Sequence, residues 1–224
     1  MNLEQSPERK RSAQRAEGER SERAGRLIVF EGTDGSGKST QLPRLAEHLE
    51  AAGLRVVRTR EPYDCPAGRA IRAMARSGER IAPEQELVWF YEQRRAHVRE
   101  VVRPALARGD VVLSDRYFVS TAAYQGARGL DAAAILATSE VEFPVPDLVL
   151  WLDLPVAAGL ARTHARGAPH EPAFEDAAFL ERVRETMGSL ARDYIVRIDA
   201  SGTADQVAAC VAAVVEEQLG LPRG

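Results

Sequence analysis

One short stretch limits what this chain can become. Gly32-Thr33-Asp34-Gly35-Ser36-Gly37-Lys38-Ser39-Thr40 matches the phosphate-binding pattern G-x-x-x-x-G-K-[ST] without a mismatch. Such a loop works only between a strand and a helix, and both are legible beside it. Leu27-Ile28-Val29-Phe30 is a short apolar run suited to a buried strand. Leu42, Leu45, Ala46 and Leu49 then recur at helical spacing. The chain holds two lysines, Lys10 and Lys38, against 28 arginines. Whatever bias made the other basic residues arginine spared the loop.

The residue types suit the chemistry. Gly32, Gly35 and Gly37 let the backbone wrap a phosphate and aim N–H groups at it. A helix starting near Lys38 adds partial positive charge at its N-terminus. Lys38 supplies a compact ammonium for the β- and γ-phosphates, and Ser39 a hydroxyl for Mg²⁺. A nucleotide is the expected ligand, with the loop from Gly32 through Thr33, Asp34, Gly35, Ser36, Gly37, Lys38 and Ser39 to Thr40 around its phosphates.

The remaining composition excludes several partners. The net charge is −3 and the sequence pI 5.9, so no basic field argues for nucleic acid. No apolar run approaches the roughly 18 residues of a membrane span, and the N-terminus lacks the apolar segment of a signal peptide. Cys65 and Cys210 form neither a metal-ligand pattern nor a disulfide framework. The expectation is a cytoplasmic protein with one α/β domain over 26–220. Residues 1–25 are mixed-charge and almost free of large apolar side chains, which predicts a disordered extension.

Strand and helix patterns alternate along the domain. Further strands are expected at 54–59, 111–113, 148–152 and 195–198, and a long helix at 83–107 with Pro104 as a kink or break near its end. That order implies a parallel sheet covered on both faces, with functional groups at the carboxyl ends of its strands. Four groups fall there: the glycine loop, Thr59-Arg60-Glu61-Pro62, Asp115-Arg116-Tyr117 and Asp153. Asp115 suits a Mg²⁺ ligand opposite Ser39. Arg60 and Arg116 suit phosphate clamps. Phe90 and Arg94 lie four apart, so they share a helix face that could stack a planar base and donate to its edge. On that pattern alone, a core Phe90 and an ion-paired Arg94 is the simpler reading.

Together these residues, with His97 and Ser120-Thr121-Ala122-Ala123-Tyr124-Gln125-Gly126, give a sequence that resembles the thymidylate kinase family over 26–219. The resemblance implies a P-loop kinase fold: a five-stranded parallel sheet, helices on both faces and a short lid. It also implies a homodimer, and transfer of the γ-phosphoryl group of ATP to dTMP with Mg²⁺. By position, Asp34 would bond the sugar 3′-hydroxyl and approach the metal's waters. Arg60 and Arg116 would hold the acceptor phosphate, with Glu61 in the same acceptor segment. Phe90 would stack on thymine and Arg94 would donate to its O4. Thr121 and Gln125 would lie beside the base, and Tyr124 would crowd the sugar 2′ position. Some members carry a transition-state arginine in the loop where this chain has Gly35. Members with glycine there draw it from the lid, which points to Arg162 and Arg166.

Two departures stand out. Many members continue Arg-Glu-Pro with Gly-Gly-Thr, where this chain has Tyr63-Asp64-Cys65, so the acceptor loop differs. In the lid, Pro172-Ala173-Phe174-Glu175 lacks an arginine that many members carry. A kinase for another nucleoside monophosphate, or a non-catalytic nucleotide-binding protein on the same fold, therefore stand as alternatives.

Overall fold

The computed structural model describes residues 24–165 and 176–221. Strand β1 is Arg26–Glu31, and helix α1, Lys38–Ala51, follows the glycine loop. Then come β2 (Val56–Arg60), α2 (Pro66–Ser77) and α3 (Pro83–His97). After a wide helical turn at Val98–Val102 lie α4 (Arg103–Ala107) and β3 (Val111–Asp115). They are followed by α5 (Phe118–Gly126), α6 (Ala132–Glu142), β4 (Leu148–Asp153) and α7 (Val156–Ala165). The last elements are α8 (Ala177–Ser189), β5 (Ile195–Asp199) and α9 (Ala204–Leu219).

The five strands form one parallel sheet in the order β2-β3-β1-β4-β5. Strand β1 is central, and its alternating side chains serve two cores. Ile28 and Phe30 pack with Leu42, Leu45 and Leu49 of α1 and Val207 and Val211 of α9. Leu27 and Val29 belong to the opposite layer, with Val98, Phe118, Leu136 and Val183. Register sets Phe30 opposite Asp115 of β3, and Asp115 opposite Arg60 of β2. The glycine loop, Arg60 and Asp115 thus reach the same sheet edge.

Local chemistry moved several boundaries. β2 begins at Val56 rather than Leu54, because Leu54 N–H turns back to Leu49 O at 3.1 Å after Gly53 at φ 85°. The expected kink at Pro104 lies instead in the turn before it, at Val98–Val102. Proline lacks an N–H and its ring crowds the carbonyl four residues back, and the helix accommodates this by widening upstream. Gly25 already belongs to the folded part: its N–H donates to Leu106 O at 3.1 Å, and a Cβ there would lie 2.5 Å from Asp110 O. The rest of the expected extension, 1–23, lies outside the described residues.

Candidate active site

Gly32, Gly35 and Gly37 adopt φ values of 137°, 78° and 105°, in the region that L side chains avoid. The loop curls so that Lys38 points back into it. Its ammonium donates to Gly32 O at 2.8 Å and Thr33 O at 3.0 Å, and lies 4.0 Å from Asp34 Oδ1. Burial, followed by the charge of Arg116, pushes the Lys38 pKa down from its ordinary value. Added anionic oxygens would relieve both effects. Ser39 and Thr40 are exposed at the start of α1.

At the end of β3, Asp115 has one carboxylate oxygen, Oδ1, that is buried without a hydrogen-bond partner. Arg116 follows with φ 70°, the one non-glycine residue with positive φ among those described. Such strain persists only where surroundings over-determine it. Here Arg116 N–H donates to Phe30 O at 2.9 Å, and Ser114 Oγ donates to Arg116 O at 2.8 Å. The guanidinium is steered by Asp34 Oδ1 at 2.6 Å and Ser120 Oγ at 2.9 Å. Behind it, Glu31 is fully buried and accepts the backbone N–H groups of Tyr117 and Ser120, both at 3.0 Å, and the Ser120 hydroxyl. These are free donors at the start of α5, so a carboxylate from β1 caps that helix. Burial raises the Glu31 pKa against these hydrogen bonds.

Beside Arg116 lies a half-open cavity of about 110 Å³. Asp34, Arg116, Ser120 and Tyr124 line one part of it, and Pro62, Ile71, Arg72, Ala75 and Phe90 another, with Thr121 also on its wall. Burial raises the Tyr124 phenol to about 12, so it stays neutral at pH 7. Arg94 lies fully buried behind the wall. It donates to Glu61 Oε2 at 2.6 Å and to Thr121 Oγ1 at 2.8 Å, while its Nη1 has no hydrogen-bond partner. Glu61 also accepts from Gln93 at 2.8 Å and pairs with His97 Nδ1 at 3.0 Å. Burial would raise the Glu61 pKa, but Arg94 and His97 outweigh it and hold the carboxyl below its usual value. His97 Nε2 is 2.8 Å from Thr59 Oγ1, so an imidazole that donates to Glu61 accepts from Thr59.

Other expected site residues sit differently. Arg60 is exposed at the end of β2 and is not among the residues lining the cavity. Gln125 is buried, with its amide donating to Glu86 at 2.8 Å, and it is not among the lining residues either. Asp153, one of the four strand-end groups, is occupied by Arg184 of α8, at 2.6 Å, and by Arg197 of β5, so it braces a helix and the neighbouring strand. Arg162 donates to Ala200 O at 3.2 Å, beside the loop between β5 and α9. Arg166 and the lid residues 167–175 lie outside the described residues.

Burial pushes the Asp153 pKa up, but hydrogen bonds from Arg184 and Arg197 win and hold it below its usual value. A depressed carboxylate contributes stability above its unfolded pKa and loses it as pH falls through the folded one. The Tm gap between wild type and Asp153→Asn should therefore be constant from pH 7 to 5 and close below about pH 4. Melts across that range check this, and a gap that persists to pH 2 would contradict it.

Two glycines bring α7 against the loop. A Cβ on Gly35 would lie 2.1 Å from Gly159 O, and one on Gly159 would lie 2.6 Å from Asp34 O. Helix α7 therefore packs backbone to backbone on the phosphate loop. Among the described residues no group of three or more His, Cys, Asp or Glu side chains could hold a metal unaided. No helix among them is long and apolar enough to cross a membrane.

A family model described as thymidylate kinase matches residues 30–211. A thymidylate kinase of Akkermansia muciniphila is 47% identical over 190 residues, which is 85% of this chain and 91% of that protein. One from Caulobacter vibrioides is 45% identical over 205 residues, covering 88% of this chain and 99% of the relative. A third, from Desulfotalea psychrophila, is 42% identical over 183 residues, or 82% and 90% of the two chains. The chain belongs to the thymidylate kinase family. As a thymidylate kinase family member it has the five-stranded parallel sheet expected from the sequence.

Within this thymidylate kinase site, sequence reasoning missed Arg72 and the cap made by Glu31. Arg72 reads as one more arginine on an amphipathic helix. Its guanidinium donates to Pro62 O and to Asp64 Oδ1, both at 2.7 Å, on the cavity wall. A signal existed for Glu31: an acid at the end of an otherwise apolar central strand needs a partner when buried. Its partner, however, is 86 residues away.

Proposed function

We propose that this protein transfers the γ-phosphoryl group of ATP to dTMP, giving dTDP and ADP. The observation that carries this reading is the junction of the phosphate loop with the Phe90 cavity, through the pairing of Asp34 with Arg116. A loop alone would bind a nucleotide. A loop opening onto a second cavity, with an arginine at the boundary, can bring two phosphates together.

Phosphoryl transfer needs positioning and charge stabilisation more than covalent chemistry. Lys38 exchanges its loop carbonyls for phosphate oxygens of ATP, over N–H groups from Gly32 to Thr40. Mg²⁺, when bound, neutralises charge on the β- and γ-oxygens. Ser39 and Asp115 are the residues that would hold it, and the buried, unpartnered Oδ1 of Asp115 fits a hard cation or its water. Arg116 receives the acceptor phosphate, with the exposed Arg60 approaching from β2, and Asp34 orients the sugar. Phe90 offers its ring to thymine. Glu61 fixes Arg94, whose unpartnered Nη1 is the donor for the base. Thr121 and Tyr124 complete the base and sugar contacts, with Gln125 behind them. Arg162 and Arg166 serve the transferring group from the lid. A homodimer and a cytoplasmic setting belong to the same reading.

ADP release coupled to an NADH readout tests it, with dTMP, dUMP, UMP, CMP, dCMP and dGMP as acceptors. The expected result is the highest kcat/KM for dTMP; no ADP release with dTMP would overturn the reading.

Arg94→Ala should raise the KM for dTMP at least tenfold and leave that for ATP within twofold, since the lost charged hydrogen bond is worth about 1.5–3 kcal/mol. It should also lower Tm, because it strips Glu61 of its main counter-charge in a fully buried site. Steady-state kinetics and melts on the same preparation check both effects. An unchanged dTMP KM would make Arg94 purely structural.

A further inference from the structure

The segment where many family members carry Gly-Gly-Thr is not a flexible loop here. Tyr63 anchors it at three points. Its N–H donates to Gln93 Oε1 at 2.7 Å, its hydroxyl donates to Glu100 at 3.0 Å, and its ring stacks on His97 with centroids 5.2 Å apart. On the far side Cys65 directly precedes α2, and Gly68 of that helix lies so close that a Cβ would meet Tyr63 O at 1.8 Å. Asp64 sits between these fixed ends. Its carboxylate accepts from Arg72 at 2.7 Å and from Arg69 at 3.3 Å.

Arg72 is the informative partner. One terminal nitrogen is held by Asp64 and the other by Pro62 O, and the side chain lines the cavity beside Phe90 and Ile71. A long arginine side chain loses considerable rotamer entropy when it is fixed. Two acceptors that fix it before a ligand arrives move that loss from binding to folding. Asp64 also balances the charge of Arg72, so this wall can meet an uncharged base without an exposed cation competing for free phosphate. A glycine in place of Asp64 would do neither.

We infer that Asp64 is a positioning residue for acceptor binding: it holds and neutralises Arg72 on the wall of the dTMP cavity, a task that the glycine of other family members cannot perform. The inference rests on dTMP being the acceptor. Asp64 acts through Arg72 and touches no reacting atom, so its signature is in acceptor KM and not in turnover. The pair is largely exposed on the Asp64 side, and such pairs add little to stability.

The test is a double-mutant cycle of Asp64→Gly and Arg72→Ala, with Asp64→Asn as a third variant, read by dTMP KM, kcat and Tm. Asp64→Gly should raise dTMP KM about fivefold, with kcat within twofold and Tm within about 2 °C, the scale of one partly exposed ion pair. Asp64→Asn, which keeps an acceptor but loses the charge, should fall between wild type and Asp64→Gly. In the Arg72→Ala background, Asp64→Gly should change KM by less than about 1.5-fold. A KM within 1.5-fold of wild type for Asp64→Gly would overturn the inference, as would a fivefold rise that survives undiminished in Arg72→Ala. A KM rise accompanied by a large drop in Tm would also overturn it, since the role would then be structural. Wild-type turnover with dTMP tests the acceptor assignment separately: its failure removes dTMP, whereas failure of the cycle with an active wild type removes only Asp64.

Discussion

Lys38→Ala should lower kcat by on the order of 10³ while leaving the protein folded. The ammonium is aimed at loop carbonyls at 2.8 and 3.0 Å, beside the proposed position of the phosphates. No neighbour can replace it. The other lysine, Lys10, lies outside the described residues, and Arg116, held by Asp34 and Ser120, has the acceptor phosphate to bind in the proposed reaction. The fold should survive, because the loop shape depends on its glycines and α1 is held by Leu42, Leu45 and Leu49. Burying an ammonium also costs free energy, and alanine removes that cost. Stopped-time ADP release and a melting curve on the same sample check the two halves. Turnover within tenfold of wild type would remove Lys38 from the reaction.

What the sequence disclosed depended on how far apart the cooperating residues lie. The phosphate loop was legible because strand, glycines, lysine and helix are contiguous, and each imposes its own local pattern. The sheet was legible because apolar runs mark β1, β3 and β4, while the edge strands β2 and β5 keep β-branched pairs beside their arginines, each between helical patterns. Phe90 and Arg94 could be placed on one face from spacing alone, but spacing could not distinguish a ligand contact from a core pair. The structure shows the core pair: Nε and Nη2 of Arg94 are tied to Glu61, 33 residues earlier, and its Nη1 has no such partner.

The differences have the same origin. The family resemblance put Gln125 beside the base, next in sequence to Tyr124. A helix turns about 100° between neighbours, and that rotation carries Gln125 onto the buried carboxylate of Glu86 while Tyr124 keeps the cavity. Asp153 ends a strand like Asp115 does, and nothing local separates the two. The difference is Arg184 and Arg197, which converge on Asp153 from α8 and β5. Asp115 Oδ1 meets no comparable donor. Proline marked a disturbance at 104, yet the backbone relaxed one turn earlier, where the helix could widen.

Gly35→Arg should fail to supply a transition-state arginine and should instead lower kcat by on the order of 10²-fold, with a loss of several degrees in Tm. Charge spreads over the transferring phosphoryl group, and a guanidinium placed against it can be worth about 10³–10⁵ in rate. Family resemblance offers two sources, the loop position held here by Gly35 and the lid. Packing opposes the first in this chain. Gly35 has φ 78°, which costs an L residue roughly 1–2 kcal/mol. Its Cβ would lie 2.1 Å from Gly159 O, so backbone opposes backbone and no rotamer change relieves the clash. To admit the side chain, α7 would have to lift off the loop, and α7 carries Arg162 and leads to Arg166. The substitution would thus displace the lid arginines it was meant to replace. Arg166→Ala should lower kcat about 10²-fold with little change in dTMP KM, and adding Gly35→Arg should not restore it. Single-turnover rates for the two single variants and the double variant check this. Recovery of the Arg166→Ala rate by Gly35→Arg would show that the loop accepts arginine. Rates within about threefold of wild type for Arg162→Ala, Arg166→Ala and their combination would show that the lid supplies none.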